Sequence, residues 1–321
     1  NSFCTLLVYP APLLPISDPL PAMTTAPSDA VTSNVFAESR VAKSTSEYKL
    51  MFEFLDKANC RGTFLFFGSA RALSQDAYAT AVASATAVVE DPKSSPEDKA
   101  KAAARLATLK SQDWVAPYWE KTRQLAHDLT VWAKSEEGVS VGNAVNTNFP
   151  AAQSQQPLVV CTGGGPGFME AGNKGAADAK GASMGIGVTL PFETRLNDYV
   201  TPELGITCDQ FFSRKYWEVF AAKAMIVCPG GVGTTDEMAE VLTLMQCQKM
   251  PKIPVVLLGK EFWTTAVNLR YLADKGMMTH REIDELCITD DPAEACEFIV
   301  DFLKREASEN SPRRSQPPGP A

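Results

Sequence analysis

Three glycine-rich strings in this sequence each follow a short apolar run and precede a stretch with helical periodicity. They are Phe67-Gly68-Ser69-Ala70, Thr162-Gly163-Gly164-Gly165-Pro166-Gly167 and Pro229-Gly230-Gly231-Val232-Gly233-Thr234. Glycine lets a backbone approach a phosphate closely, and the free amides and dipole at the start of the following helix favour an anion. The strings therefore predict a phosphate site, with simple tight turns between strand and helix as the alternative.

Arg214 and Glu237 are the charged residues near these strings that could do chemistry, and they lie 23 positions apart. A carboxylate beside a ribose stabilises the positive charge that develops when an N-glycosidic bond breaks, or activates the attacking water. A guanidinium can fork onto a ribose hydroxyl or a phosphate and keep a nearby carboxylate ionised. Both have structural alternatives, because Thr234-x-x-Glu237 is also the pattern of a capping box and most arginines are solvated or ion-paired.

The features that the strings lack narrow the choice of anion. Gly167–Lys174 has the pattern Gly-x4-Gly-Asn-Lys, which is not a Walker A loop. Glu170 and Asp236 stand where the dinucleotide fingerprint requires a third small residue. We therefore expect a mononucleotide or a sugar phosphate.

Several neighbours of the strings have simpler interpretations. Glu170 and Asp236 lie in the first turns of predicted helices, where compensation of the helix dipole explains an acid. Lys215 could contribute general positive potential to a phosphate site. Phe168 and Met169 are interpreted first as core residues, with a base pocket as the alternative.

Composition excludes several classes of partner and site. A formal net charge of −8 and a pI near 5.0 leave no dominant basic footprint for nucleic acid or an anionic membrane. No apolar run approaches the roughly twenty residues of a spanning helix. The eight cysteines form no CxxC pair and the two histidines form no ligand cluster, so we expect reduced thiols, no metal and no cofactor.

Short apolar runs alternate with helical stretches, which predicts an α/β fold with a doubly wound parallel sheet. The predicted strands are Thr63–Phe67, Leu158–Cys161, Ser183–Thr189, Ala224–Cys228, Pro254–Leu258 and Leu286–Thr289. The predicted helices are Glu47–Asn59, Tyr118–Lys134, Gly167–Lys180, Ser213–Lys223, Thr235–Gln248, Glu261–Asp274 and Pro292–Glu306.

One domain is expected over residues 46–306, because 321 residues with 45% hydrophobic content can bury a single core. Residues 76–135 are predicted to insert two or three helices, followed by a polar loop over Gly138–Pro157. Residues 1–45 are interpreted as a disordered leader, favoured over an organelle transit peptide because arginines are scarce. Residues 307–321 are a predicted tail. We expect a cytoplasmic location, with a plastid or another organelle left open.

The motifs resemble a known family. Gly163–Ala176 (GGGPGFMEAGNKGA), Arg214-Lys215 and Pro229–Glu237 (PGGVGTTDE) are similar to the LONELY GUY family, the cytokinin riboside 5′-monophosphate phosphoribohydrolases once misnamed lysine decarboxylases. The similarity extends over roughly residues 62–303. It implies a modified Rossmann fold, a homodimer or higher oligomer with sites near the subunit interface, and release of a free base and ribose 5-phosphate.

The resemblance also implies site residues. Gly230, Gly231, Gly233 and Thr234 would hold the phosphate, and Arg214 and Glu237 would act at the ribose. Gly68, Ser69, Gly163, Gly164 and Gly165 would complete the nucleotide pocket. The inserted helices and the GGGPGFME form are similar to longer family members, in which the preferred base is less certain.

Three functions stay open on the sequence. The first is hydrolysis of cytokinin nucleotides or AMP, and the second is a broader purine or pyrimidine nucleotide ribosidase with the same catalytic pair. The third is a non-catalytic carrier similar to molybdenum-cofactor carriers, which would not need Arg214 and Glu237. A pyridoxal-phosphate decarboxylase is not expected, because Lys223 lies at the wrong end of its predicted strand.

Overall fold

A computed structural model describes residues 30–145, 154–189 and 195–310, with side chains from residue 42 to residue 309 of these ranges. Its contacts divide the chain into a unit of residues 1–43 and a unit of residues 44–321. All strands of the described residues belong to the second unit and form one parallel sheet. They are β1 (Gly62–Phe67), β2 (Leu158–Thr162), β3 (Ser183–Val188), β4 (Gly205–Cys208), β5 (Ala222–Val227), β6 (Val255–Leu258) and β7 (Cys287–Thr289).

The helices that connect and flank these strands account for most of the remaining described chain. They are α1 (Ala30–Ala58), α2 (Gln75–Glu90), α3 (Pro96–Ser111), α4 (Val115–Ala133), α5 (Glu136–Ala144), α6 (Phe168–Asp178), α7 (Phe211–Ala221), α8 (Val232–Gln246), α9 (Lys260–Ala266), α10 (Leu269–Asp274), α11 (His280–Asp284) and α12 (Pro292–Asn310). Helices α2, α3 and α4 occupy the interval in which inserted helices are predicted.

Alternating side chains of the central strands supply two separate cores. In β1, Leu65 and Phe67 pack on one face with Trp217 of α7 and Met238 of α8. Phe64, Phe66 and their neighbours pack on the other face with helices α4, α6 and α12. A sheet covered on both faces needs apolar residues at successive positions, which explains the continuous apolar runs of the sequence.

The strand order across the sheet is β4-β3-β2-β1-β5-β6-β7. The chain moves outward from β1 to β4, then returns to the other side of β1 with β5, so the order reverses between β1 and β5. Ligands in open α/β sheets bind beyond the carboxyl ends of the strands at such a reversal. The predicted doubly wound parallel sheet is confirmed, and it brings the first and third glycine strings together.

Two predictions between and beside the strands are wrong. The sheet has an additional edge strand, β4, whose four residues are too short and too exposed to give an alternating pattern. Residues 136–144, predicted in part as a polar loop, form α5, with the Ser135 hydroxyl accepting from the amide of Gly138. A Cβ at Gly138 would lie 1.9 Å from the carbonyl oxygen of Trp132, so this glycine permits close packing rather than a loop.

Several helix boundaries also differ from those predicted. Helix α1 begins at Ala30 rather than Glu47, so residues 30–45 are helical where a leader is predicted; no proline interrupts the chain after Pro27 until Pro92. Helix α12 continues to Asn310, past the predicted start of the tail. The single helix predicted over Glu261–Asp274 is two, because the Asn268 side chain caps a second start at α10. The remaining leader and tail residues, 1–29 and 311–321, lie outside the described residues.

Candidate active site

A cavity of about 520 Å³ lies beyond the carboxyl ends of the central strands. This volume is in the range of sites that hold a small ligand. Arg71 and Arg195 line it together with Arg214, which provides local positive potential in a chain of net charge −8. The predicted site residues that line the cavity are Gly68, Ser69, Gly163, Gly164, Gly165, Met169, Arg214, Gly231, Gly233, Thr234 and Glu237.

Arg214 is the best-fixed cation of the cavity. Its Nη1 donates to Oε1 of Glu237, and its Nε lies 3.2 Å from Oε2 of Glu218 on the same helix, α7. The guanidinium lies 5.9 Å from the ring centre of Phe67. An ideal Cβ at Gly163 would lie 2.5 Å from Nη2, so the absence of a side chain there gives the guanidinium its place. The sequence prediction that Arg214 lies near Glu237 is confirmed.

Glu218 is a residue that the sequence analysis missed, although the i, i+4 spacing from Arg214 on one helix is a signal for a pair. Its side chain is fully buried, and neither carboxyl oxygen accepts a hydrogen bond from the described residues. Burial raises the pKa of Glu218 well above that of an ordinary carboxyl group; Arg214 opposes this shift and Glu237 adds to it. One guanidinium therefore serves two buried carboxyl groups, and the deeper one favours its protonated form.

The pKa of Glu237 is also raised, because burial outweighs the opposing effect of the Arg214 guanidinium. Arg214 alone was expected to keep this carboxyl ionised, so the structure corrects the balance. A carboxyl group whose pKa moves upward comes closer to the range in which it can exchange a proton near neutral pH. The pKa of Arg214 itself is raised: burial lowers it, but Glu218 and Glu237 together have the larger effect.

The capping-box alternative for Glu237 is not what the structure contains. Helix α8 begins at Val232, three residues earlier than predicted, with Gly231 as the N-cap and no side-chain cap. Glu237 is therefore free to pair with Arg214 rather than with the helix start. A Cβ on Gly231 or Gly233 would meet no atom within 4 Å, so the uncapped amides at this helix start border open space. Such amides favour an anion.

Gly230 and Lys215 do not line this cavity. A Cβ at Gly230 would lie 2.2 Å from Oγ1 of Thr234, so Gly230 makes room for that side chain. The Lys215 ammonium lies 2.7 Å from carboxylate oxygens of both Asp236 and Glu240 on α8. Those carboxylates neutralise the charge that was expected to contribute to a phosphate site.

The second glycine string is held by a buried polar network around Asn173. Its Oδ1 accepts from the Thr162 hydroxyl at 2.7 Å and from Nδ2 of Asn197 at 2.9 Å. The same Thr162 hydroxyl accepts from the amide of Gly164, a residue with φ of +71°. Asn173 is the residue that breaks the Walker A pattern, and the structure shows it supporting the string from beneath.

The apolar pair after this string divides between two roles. Phe168 is buried in the core, as favoured from the sequence, whereas Met169 lines the cavity. Glu170 is half-buried, with its pKa raised by burial. Lys223 lies at the amino end of β5, where a Cβ at Gly62 of β1 would touch it, so it is far along the strand from the cavity.

Tertiary structure adds cavity residues that no motif indicates. Arg195, Leu196 and Thr207 reach the cavity from the segment around β4. Arg71 had a local signal, since it directly follows Gly68-Ser69-Ala70. In the part of the chain that the structure describes, no group of three or more histidine, cysteine or acidic side chains could hold a metal. No helix within the same ranges is long and apolar enough to span a membrane.

Two solved structures are similar to part of the chain. The molybdenum cofactor binding protein of the phototrophic bacterium Rippkaea orientalis is 22% identical over 57% of this chain and 88% of its own, with a TM-score of 0.36. The Moco carrier protein of Chlamydomonas reinhardtii is 22% identical over 56% and 88%, with a TM-score of 0.30. No curated protein matches the chain.

A family model described as "Possible lysine decarboxylase" matches residues 169–299. This segment contains Arg214, Lys215 and the PGGVGTTDE string. Over residues 169–299 the chain therefore belongs to the family that its motifs resemble, the LONELY GUY family formerly named for lysine decarboxylase.

Proposed function

We propose that this protein hydrolyses the N-glycosidic bond of a nucleoside 5′-monophosphate, releasing the free base and ribose 5-phosphate. The observation that carries the proposal is the buried contact between Arg214 and Glu237 in a cavity lined by glycine-rich strings. The resemblance of the motifs further favours cytokinin-type nucleotides with a substituted N6 amino group.

The chemistry assigns separate tasks to the two sides of the cavity. The uncapped amides at the start of α8 would bind the 5′-phosphate. The Glu237 carboxylate would stabilise positive charge at C1′ and take a proton from the attacking water. The water oxygen bonds to C1′, and the base leaves with the electrons of the C–N bond and takes up a proton. Arg214 would orient Glu237 and the ribose.

Exposed apolar residues at the rim support an extension of the proposal to a homodimer or higher oligomer. Phe211 and Val232 line the cavity, and 56% and 88% of their surfaces are exposed. Phe212 beside them is also exposed. Apolar groups gathered around a polar cavity are typical of an interaction surface. Light scattering on the purified chain tests this part, and a monomer at micromolar concentration would contradict it.

The assay that tests the activity supplies isopentenyladenosine monophosphate, AMP and CMP separately and follows the released base by chromatography. We expect release from the isopentenyl substrate well above that from AMP. Faster release from AMP or CMP would instead support a broad nucleotide ribosidase. Binding without release of any base would overturn the hydrolase proposal and leave a nucleotide carrier.

Replacing Gly163 by alanine is expected to slow base release by roughly 100-fold. The added methyl group would lie 2.5 Å from Nη2 of Arg214 and 2.9 Å from Sδ of Met169, so the guanidinium must move. Steady-state kinetics measures the loss, and the melting temperature should stay near that of the wild type because only side-chain ends are displaced. Wild-type turnover in this variant would show that the position of Arg214 is not needed.

A further inference from the structure

A second cavity of about 190 Å³ lies beside the first, on the other side of the β1 and β5 loops. Ser69 and Arg71 line both cavities. Pro229 and Gly230 line the second, whereas the next residues of the same loop, from Gly231 to Thr234, line the first. A phosphate bound at the start of α8 would therefore lie at the boundary between the two cavities.

The wall of the second cavity is aromatic and comes from three helical segments. Tyr78 belongs to α2, Trp114 precedes α4, and Phe262 belongs to α9. The rings of Trp114 and Phe262 are stacked, with centres 5.4 Å apart and planes at 23°. Trp114 remains 41% exposed, which leaves ring surface for a further partner. Stacked aromatic side chains bind planar rings such as nucleobases, and Gln112 in the same wall offers an amide to a base edge.

The size and charge of the second cavity indicate part of a ligand rather than a whole one. A cavity of about 150 Å³ holds one benzene ring, whereas sites for complete small ligands begin near 300 Å³. Arg71 forms no ion pair with any carboxylate of the described residues, so its charge is available to a phosphate at the boundary. The two cavities flank the β1–β5 reversal, the place where a bound molecule can extend to both sides.

We infer that the second cavity binds a planar ring linked through the 5′-phosphate of the nucleotide in the first cavity. The ligand class is a nucleotide with a pyrophosphate-linked second ring, stacked on Trp114 and bridged by Arg71. The inference rests on the proposed function only for the position of the phosphate. The missing dinucleotide fingerprint is consistent with it, because the second ring is held by the inserted helices and not by a glycine-to-helix turn.

Calorimetric titration with AMP, ADP-ribose and diadenosine pyrophosphate tests the inference. All proteins carry Glu237→Gln, so that no probe is consumed. ADP-ribose has the pyrophosphate and second sugar without the second ring, so diadenosine pyrophosphate should bind about tenfold or more tightly than ADP-ribose. Adding Trp114→Leu should remove this difference and leave the AMP affinity unchanged. Phe262→Leu, at the other stacked ring, should act in the same direction.

The matched control is Tyr271→Leu, which removes an exposed aromatic ring on α10 that does not line the second cavity. Its affinities should equal those of the parent protein. Equal affinity for ADP-ribose and diadenosine pyrophosphate, or a gain that survives Trp114→Leu, would overturn the inference. A Trp114-dependent gain without base release from AMP by the wild type would reject the hydrolase but keep the cavity assignment. Base release without the gain would do the reverse.

Discussion

The Glu237→Gln protein is expected to fold normally and to release base roughly 100- to 10,000-fold more slowly than the wild type. Glutamine cannot take a proton from water or stabilise positive charge at C1′. Its carbonyl oxygen still accepts from Arg214, and the remaining Arg214–Glu218 pair is neutral, so the free energy of unfolding should change by no more than about 1 kcal/mol. Turnover and chemical denaturation measure the two effects separately.

Asp236→Asn is the matched control for this variant. Asp236 precedes Glu237 on the same turn of α8, but its side chain is 60% exposed and pairs with Lys215 outside the first cavity. Removing its charge should leave turnover near that of the wild type. A Glu237→Gln protein with near-normal turnover would show that Glu237 only supports the structure of this turn.

Arg214→Gln is expected to lower the free energy of unfolding by about 3–5 kcal/mol near neutral pH and to stop base release. Arg214 is the counter-charge of two carboxyl groups, of which Glu218 is fully buried and Glu237 largely so. Removing it leaves buried negative charge without a partner, whereas a surface pair such as Arg281–Glu285 contributes less than about 1 kcal/mol. Arg281→Gln is therefore the control, and urea denaturation measures both.

The destabilisation of Arg214→Gln should depend on pH with a definite sign. The folded-state pKa values of Glu218 and Glu237 are already raised above the ordinary 4.5, with burial as the largest cause, and losing Arg214 raises them further. Between the unfolded and folded pKa values the folded protein binds more protons, so its stability is greatest at low pH and falls as pH rises. The difference from the wild type should shrink toward pH 5. An equal loss at pH 5 and pH 8 would contradict the charge argument.

The sequence predicted the parts of the fold that depend on short-range pattern. The glycine strings, the apolar strands β1, β2, β3, β5 and β6, and the helices inserted after β1 lie within a few residues of their predicted positions. Edge strand β4 and helix α5 escaped prediction, because exposure and glycine content there follow from neighbours distant in sequence. Close packing of Gly138 against Trp132 gives no local signal that distinguishes it from a loop glycine.

By itself, the sequence determined which residues could do chemistry, since Arg214, Glu237 and the glycine strings carry their types and spacing in the chain. Tertiary structure alone decided their environment. Packing of α7 against α8 selected Glu237 as the Arg214 partner and diverted Lys215 to Asp236, and burial of Glu218 created a shared guanidinium. Chain order specifies local geometry, but burial and charge pairing depend on which distant segments the sheet brings together, so these properties arise only in the folded molecule.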